Sequence, residues 1–222
     1  MVMEQSELEK ARFNMIHQQI QTWEVLDRRV LDLLTQVPRE RFVPEAYIGL
    51  AFADTQVPIG HGERMMEPKL EARMLQALDV KPDDRVLEIG TGSGYVTACL
   101  ARLGARVTSL EIHQDLSDAA EGRLEAQGIA NAELVVADAM AGIPADGLFD
   151  VIAVTGSMPM RDKRFHRYLS NGGRLFMVVG ETPVMEALLV TRTGDNAWHE
   201  ESLFETELPP LVNAPRPDRF DF

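Results

Sequence analysis

A glycine-rich turn between an apolar strand and an apolar helix constrains this chain most. The strand pattern at 85–89 runs into Gly90, Gly92 and Gly94, and a helical pattern follows directly. Glycines at such a turn let backbone N–H groups approach a ligand closely at the start of a helix. A dinucleotide fingerprint needs its third glycine one position later, where this chain has Tyr95. The spacing therefore disfavours NAD and favours another nucleotide-like cofactor, with S-adenosylmethionine (AdoMet) as the leading candidate.

The composition is typical of an acidic globular protein with one α/β domain and a modest extension. The 222 residues include 35 Asp and Glu against 22 Lys and Arg, so the formal net charge is −13. That sign disfavours binding to a nucleic-acid backbone or to an anionic membrane. No apolar run approaches the roughly 20 residues that span a bilayer, and residues 1–7 lack the pattern of a signal peptide. We therefore expect a cytoplasmic protein with neither nucleic-acid nor membrane partners.

Metal and disulfide chemistry find no support in the sequence. Cys99 is the single cysteine, so the chain can build neither an internal disulfide nor a cysteine-based metal site. The five histidines show no spacing typical of metal ligands, and no metal is expected.

Strand and helix patterns alternate along most of the chain. Strands are expected at 85–89, 106–111, 133–137, 150–155 and 174–180, and helices at 95–103, 115–127 and 162–169. This alternation predicts a doubly wound, mainly parallel Rossmann-like sheet with right-handed crossovers. Residues 187–192 and 198–204 are expected to add a C-terminal antiparallel hairpin.

The chain divides into three parts within one structural domain. Helical patterns within 8–36, with Asp27 as an N-cap, precede a long irregular segment at 39–68 that is a candidate cover for an active site. The expected parts are an N-terminal helical extension and active-site cover at 1–80, an AdoMet-binding core at 81–208, and an irregular proline-rich tail at 209–222.

Three carboxylates lie where such a fold binds its ligand, at the carboxyl ends of strands. Glu88 precedes the glycine turn, Glu111 ends the next strand, and Asp138 ends the one after, followed by the small Ala139. A carboxylate in the position of Glu111 can accept both hydroxyls of a ribose, and Asp138 with Ala139 can flank an adenine. The predicted cofactor-binding residues are Glu88, Gly90, Thr91, Gly92, Ser93, Gly94, Glu111, Ile112, Asp138, Ala139 and Thr155.

Several further segments share the pattern of one enzyme family. They are VPRERFVP at 37–44, AFAD at 51–54, PIGHG at 58–62, DRVLEIGTGSGY at 84–95 and NGGRL at 171–175. With them, residues 12–212 resemble the protein-L-isoaspartate O-methyltransferases, within the class I AdoMet-dependent methyltransferases. The glycine turn alone specifies only the class, whereas the segments between 37 and 62 are typical of the family.

The resemblance implies methyl transfer from AdoMet to the misplaced carboxylate of an isoaspartyl residue in a protein or peptide, which begins repair. A carboxylate with an ordinary pKa of about 4 is ionised at neutral pH and needs no general base. Catalysis can then rest on proximity and orientation in a dry pocket. The lack of an evident Ser/His/Asp arrangement is therefore no objection.

One departure from the family falls in the active site that the resemblance implies. The family usually reads Gln-Thr-Ile-Ser-x-Pro after the PIGHG segment, and the Ser hydroxyl belongs to its active site. This chain reads ERMMEP there, which places Met66 at the Ser position and Arg64 at the Thr position. A thioether cannot donate a hydrogen bond, whereas Arg64 can bind a carboxylate by a charge-assisted bond. Ser157, in a segment where the family commonly reads Thr-Ala-Ala-Ala-Pro, can supply a substitute hydroxyl.

Two alternatives therefore stay open beside isoaspartyl methylation. The first is a divergent methyltransferase on the same scaffold that acts on another acid or a small molecule. The second is an AdoMet-binding protein without transfer activity that acts through a partner. The oligomeric state is left open by the sequence.

Overall fold

A seven-stranded β-sheet organises the part of the chain that the computed structural model describes, residues 5–217. The strands are β1 (Val57–Gly60), β2 (Glu63–Met65), β3 (Arg85–Ile89), β4 (Arg106–Glu111), β5 (Ala132–Val136), β6 (Phe149–Met158), β7 (Leu169–Glu181), β8 (Val184–Gly194) and β9 (Ala197–Glu205). The α-helices are α1 (Gln5–Asn14), α2 (Arg28–Gln36), α3 (Pro68–Leu78), α4 (Tyr95–Leu103) and α5 (Gln114–Ala126). Short π- and 3₁₀-helical turns lie at Met15–Ile20, Gln21–Trp23, Arg39–Arg41, Glu45–Leu50 and His166–Tyr168.

The strand order of the large sheet is β5-β4-β3-β6-β7-β8-β9, and β1 pairs separately with β2. The first five strands in this order, from β5 through β4, β3 and β6 to β7, run parallel. Strands β8 and β9 complete the sheet as antiparallel strands. The chain builds outward from β3 through β4 to β5 and then returns to place β6 on the other side of β3. That reversal is a topological switch point, where open α/β sheets bind their ligands. The predicted doubly wound sheet with a C-terminal antiparallel hairpin is confirmed.

The two faces of the sheet are covered differently. Val86 of β3 belongs to a hydrophobic cluster that includes residues of α2, α3 and α4, whereas its neighbour Leu87 packs in a second cluster with Phe165 and other residues outside the α-helices. Successive side chains of a strand point to opposite faces, so β3 is buried on both. Among residues 5–217, no helix is long and apolar enough to cross a membrane.

The helix predicted at 162–169 is wrong, because only a 3₁₀ turn forms there, at His166–Tyr168. The Asp162 carboxylate accepts hydrogen bonds from the backbone N–H of Arg164 (2.8 Å) and from its Nε–H (2.7 Å). An aspartate that bonds the backbone two residues on stabilises a turn in competition with a helix.

The N-terminal part confirms one predicted cap and corrects one predicted loop. The Asp27 carboxylate accepts a hydrogen bond from the backbone N–H of Arg29 (2.8 Å), as expected of the N-cap of α2. The segment 39–68, expected to be irregular, contains the β1–β2 hairpin. Its two-residue turn is His61-Gly62, with φ of +53° and +85°, the pair of positive angles typical of a type I′ hairpin turn.

The described part of the tail lies against the end of β6. The backbone N–H of Ser157 donates a hydrogen bond to the carbonyl of Pro209 (2.8 Å), and the carbonyl of Ser157 accepts a hydrogen bond from the backbone N–H of Leu211 (2.9 Å). Residues 218–222, which belong to the tail predicted at 209–222, lie outside the described residues. The division of the chain at residues 80 and 208 stays a prediction.

Candidate functional site

A pocket opens at the carboxyl ends of β3, β4 and β6, beside the switch point of the sheet. It encloses about 800 Å³ of empty space, with its open mouth included, which is in the range of small-molecule sites. Its walls combine backbone of the glycine turn, carboxylates, and apolar side chains. The lining residues are Ile59, Glu63, Arg64, Met65, Met66, Glu71, Ile89, Gly90, Thr91, Gly92, Ser93, Val96, Leu110, Glu111, Ile112, Ala137, Asp138, Ala139, Met140, Thr155, Gly156, Leu211 and Val212.

The glycine turn has a backbone that only glycine adopts easily. Gly90 and Gly92 have φ of +96° and +52°. A Cβ on Gly90 would lie 2.4 Å from the Thr155 hydroxyl oxygen, and one on Gly92 would lie 3.0 Å from the Ile59 side chain. The Thr155 hydroxyl is within hydrogen-bond distance of the carbonyls of Ile89 (2.8 Å) and Gly90 (2.6 Å), so β6 braces the turn. The turn thus presents backbone rather than side chains to the pocket.

Glu111 is held at the pocket wall by the backbone around it. Its carboxylate accepts hydrogen bonds from the N–H groups of Gly92 (2.8 Å), Ile112 (2.9 Å) and His113 (3.0 Å). Its side chain is almost fully buried, with a relative exposure of 5%. These bonds fix an acceptor pair beside the glycine turn.

Asp138 occupies the corresponding place after β5. Its carboxylate accepts hydrogen bonds from the backbone N–H of Met140 (2.7 Å) and from the Asn213 side-chain amide (2.9 Å). Both Asp138 and Ala139 line the pocket. The second bond also ties the tail to this wall.

Glu88, predicted to bind the cofactor, lies behind the pocket and does not line it. It points to the α4 side of β3, where the hydroxyls of Thr97 (2.5 Å) and Ser109 (2.6 Å) donate to its carboxylate. Complete burial raises the pKa of Glu88 to about 8, so the carboxyl is largely protonated at neutral pH. Its place indicates that it joins β3, β4 and α4.

Glu88 gives the protein a pH-dependent stability that Glu88→Gln should remove. The native pKa of about 8 exceeds the ordinary value of 4.5, so between these values the unfolded chain releases a proton that the native chain keeps. The free energy of unfolding then falls with rising pH, by at most about 1.4 kcal/mol per unit. Denaturant unfolding at pH 5, 6, 7 and 8 should show Glu88→Gln gaining stability relative to the parent as pH rises. Parallel stability profiles for the two proteins would contradict the assignment.

Two more predicted residues are not brought to the pocket. A Cβ on Gly94 would lie 3.1 Å from the Cβ of Ala120, so this glycine serves the packing of the turn against α5. The Ser157 hydroxyl is buried and has no hydrogen-bond partner among the described residues. Leu211 packs on the adjacent Gly156, with a side-chain atom 2.6 Å from where a Cβ would lie. Leu211 and Gly156 line the pocket at this point, whereas Ser157 does not.

The β1–β2 hairpin and the segment after it form another wall of the pocket. Arg64 and Met66 both line the pocket, as predicted, and the Met66 side chain is buried with a relative exposure of 3%. The backbone carbonyl of Met66 accepts a hydrogen bond from the buried guanidinium of Arg39 (2.7 Å), which also pairs with Glu71. The position of Met66 therefore depends on a buried ion pair.

Sequence reasoning missed several lining residues, among them Ile59, Glu63, Leu211 and Val212. Burial raises the pKa of the half-buried Glu63 above its ordinary value, which places a carboxyl of reduced acidity in the pocket wall. No periodic pattern marked the tail residues, because they reach the pocket through contacts distant in sequence.

Comparison with known proteins decides the family. The model of the Protein-L-isoaspartate(D-aspartate) O-methyltransferase (PCMT) family matches residues 10–215. The chain belongs to this family. A protein-L-isoaspartate O-methyltransferase of Magnetococcus marinus is 39% identical over 204 residues, which cover 92% of this chain and 89% of the relative. One from Roseiflexus sp. (strain RS-1) is 37% identical over 190 residues, which cover 86% and 87% of the two chains.

Solved structures of PCMT proteins share the fold. A putative PCMT from Plasmodium falciparum, crystallised with S-adenosyl-L-homocysteine, superposes with a TM-score of 0.77 at 23% identity, covering 91% of this chain and 97% of that one. A second protein-L-isoaspartate O-methyltransferase structure gives a TM-score of 0.76 at 24% identity, covering 91% and 65%. The predicted family, its fold, and an AdoMet-dependent O-methyltransferase as the enzyme class are confirmed.

Proposed function

We propose that this chain methylates isoaspartyl carboxylates of proteins or peptides in the pocket at the switch point. The observation that carries the proposal is that one pocket joins the glycine turn and Glu111 to a wall that bears an unpaired arginine. The first side suits a nucleoside cofactor, and the second suits a carboxylate acceptor.

The residues on the cofactor side fit AdoMet. Backbone groups of Thr91, Gly92 and Ser93 face the pocket without a covering side chain at the glycine, and Glu111 offers carboxylate oxygens to ribose hydroxyls. Asp138 and Ala139 would flank the adenine. AdoMet supplies a methyl group on a sulfonium sulfur, which an ionised carboxylate oxygen can attack without a general base.

Arg64 is the residue that would hold the acceptor carboxylate. Among the described lining residues it is the one Lys or Arg, in the company of the acidic residues Glu63, Glu71, Glu111 and Asp138. Its guanidinium has no hydrogen-bond or ion-pair partner within residues 5–217, so its donors are available. A charge-assisted bond from Arg64 would offset the repulsion that these acids impose on an anionic substrate. The apolar Met66 beside it would keep the reacting oxygen away from water.

The experiment that tests the proposal is transfer of labelled methyl from AdoMet to a synthetic isoaspartyl peptide, with AdoMet binding measured on the same sample. The matched aspartyl peptide is the control. Transfer that depends on the isoaspartyl linkage supports the proposal. Binding of AdoMet without any such transfer contradicts it.

Arg64→Gln should raise the KM for the isoaspartyl peptide about tenfold while leaving the affinity for AdoMet unchanged. The expected size follows from the loss of one charge-assisted hydrogen bond, worth about 1.5–3 kcal/mol, less what the amide recovers. The peptide KM of Arg64→Lys should lie between those of the parent and Arg64→Gln, since lysine keeps the charge but lacks the planar guanidinium with its paired donors. Steady-state kinetics and calorimetry on each variant separate the two affinities.

The double variant Arg64→Thr with Met66→Ser is the matched comparison for that series. It restores both hydroxyl residues that the family usually has at these positions, and it should recover the peptide KM lost in Arg64→Gln. Equal peptide KM values for the parent and Arg64→Gln would show that Arg64 does not hold the acceptor.

A second candidate function is methylation of a different acid or small molecule, which the replacement of the family's Ser by Met66 favours. Small carboxylates added to the same transfer assay test it, and turnover of one of them without peptide turnover would support it. An AdoMet-binding protein that acts through a partner would bind cofactor and turn over neither class. The cytoplasmic location and the lack of nucleic-acid and membrane partners stay predictions.

A further inference from the structure

A second cleft, which shares no lining residue with the pocket, lies between the N-terminal segment and α5. It encloses about 1220 Å³ of empty space, with its wide mouth included. Its lining residues are Arg12, Pro38, Glu40, Arg41, Ala119, Gly122, Arg123, Ala126 and Gln127.

The cleft carries a surplus of positive charge in a strongly acidic chain. Arg12 pairs with Glu40 at 2.5 Å, and both side chains are largely buried. Arg41 and Arg123 have no carboxylate partner within the described residues. The lining charges therefore sum to two positive, whereas the whole chain has a net charge of −13. Such a local reversal of sign attracts small anions.

Polar groups in the cleft also lack partners. The Nε of Arg12 and one carboxylate oxygen of Glu40 are buried without a hydrogen bond in the described structure. Arg123 is half-buried, and desolvation without any compensating carboxylate lowers the pKa of its guanidinium. A buried donor such as the Arg12 Nε usually finds a partner in bound water or ligand, whereas the Glu40 oxygen only accepts hydrogen bonds and offers nothing to an anion.

The floor of the cleft leaves room for a ligand to approach. Ala119, Gly122 and Ala126 lie on one face of α5 at spacings of three and four residues, and all three are exposed. A Cβ added to Gly122 would meet nothing within 4 Å. The arginine side chains therefore stand beside a bare helix surface.

Two connections run from the cleft to the pocket. Arg123 donates a hydrogen bond to the carbonyl of Ser93, in the glycine turn, at 3.2 Å. Glu40 and Arg41 belong to the same 3₁₀ turn as Arg39, whose guanidinium holds the carbonyl of Met66. A ligand that draws on Arg41 and Arg123 would thus act on both walls of the pocket.

We propose that this cleft binds a small dianion, a phosphate ester or a dicarboxylate, through Arg41 and Arg123, and that its occupancy changes the affinity for AdoMet. Two guanidiniums match two negative charges or one phosphoryl group. Coupling between the sites is reciprocal, so AdoMet must change the affinity for the anion by the same factor. Anion binding itself does not depend on the methyl acceptor of the pocket.

The test is calorimetric titration of the full chain with glycerol 2-phosphate and, separately, with succinate, at constant ionic strength held with chloride. Arg41→Gln and Arg123→Gln should each weaken binding at least tenfold. Arg28→Gln removes the same charge from an exposed arginine of α2 and should leave binding unchanged. Phosphate-ester binding without succinate binding assigns a phosphoryl site, and the reverse assigns a dicarboxylate site.

Absence of binding by both probes would overturn the proposal, as would equal weakening by Arg28→Gln, which indicates non-specific attraction. The AdoMet dissociation constant, measured with and without saturating probe, should differ at least threefold in the parent. It should not differ in Arg41→Gln at the same probe concentration. An unchanged constant in the parent would overturn the coupling.

Discussion

Glu111→Gln should lower the affinity for AdoMet by at least about 100-fold, since hydrogen bonds to a charged group are each worth about 1.5–3 kcal/mol. The carboxylate accepts three backbone N–H groups and thereby fixes both its own position and that of Gly92. A glutamine keeps one acceptor oxygen and turns an N–H₂ group toward either the backbone donors or the ribose hydroxyls. The substitution therefore disturbs the shape of the glycine turn and also removes the negative charge that would accept hydrogen bonds from the ribose hydroxyls.

Calorimetric binding of AdoMet to the parent and to Glu111→Gln measures the effect. Glu125→Gln, at an exposed position of α5, makes the same change of charge away from the pocket and should bind like the parent. The thermal midpoint of each variant shows whether the fold is retained. A Glu111→Gln protein that is folded and binds AdoMet within twofold of the parent would remove Glu111 from the cofactor site.

The sequence could place Glu111 and Asp138 at the pocket because parallel strands end at a common edge. The bounds of β3, β4 and α4 follow the predicted ones, since apolar runs of strand and helix length are separated by glycines there. The same reasoning failed for Glu88, which lies one residue before the end of β3. The twofold alternation of a strand turns its side chain to the same face as Val86, toward α4. A strand buried on both faces gives no polar pattern from which that face could be predicted.

The parts that could not be predicted depend on contacts distant in sequence. The β1–β2 hairpin has short strands and a His61-Gly62 turn, in which a histidine adopts the positive φ usually given to Asn or Gly. Leu211 reaches the pocket because its backbone N–H donates a hydrogen bond to the carbonyl of Ser157 in β6. No hydrophobic periodicity in the sequence predicts that contact. Arg39 lies in the family-like segment at 37–44, but its burial beneath the pocket wall shows only in three dimensions.

Arg39→Met should lower the free energy of unfolding by about 3–5 kcal/mol, because it leaves Glu71 as a buried carboxylate without its partner. The guanidinium of Arg39 is 1% exposed and donates to the Glu71 carboxylate at 3.0 Å, to the carbonyl of Ala51 at 2.6 Å and to that of Met66 at 2.7 Å. One side chain thus joins α3 to the segment that forms the pocket wall. Denaturant unfolding at pH 7 measures the loss, and a change under about 1 kcal/mol, typical of surface sites, would contradict it.

The double variant Arg39→Met with Glu71→Met separates the two contributions of this arginine. If the unpaired charge causes the loss, removing both charges restores most of it, as replacement of buried ion pairs by apolar residues often does. The bonds to the carbonyls of Ala51 and Met66 are absent in both variants, so any remaining loss measures their share. We expect a remaining loss of about 1–3 kcal/mol, the cost of leaving buried carbonyls unbonded. Since the Met66 carbonyl is one of them, the double variant should recover stability more fully than it recovers methyl transfer.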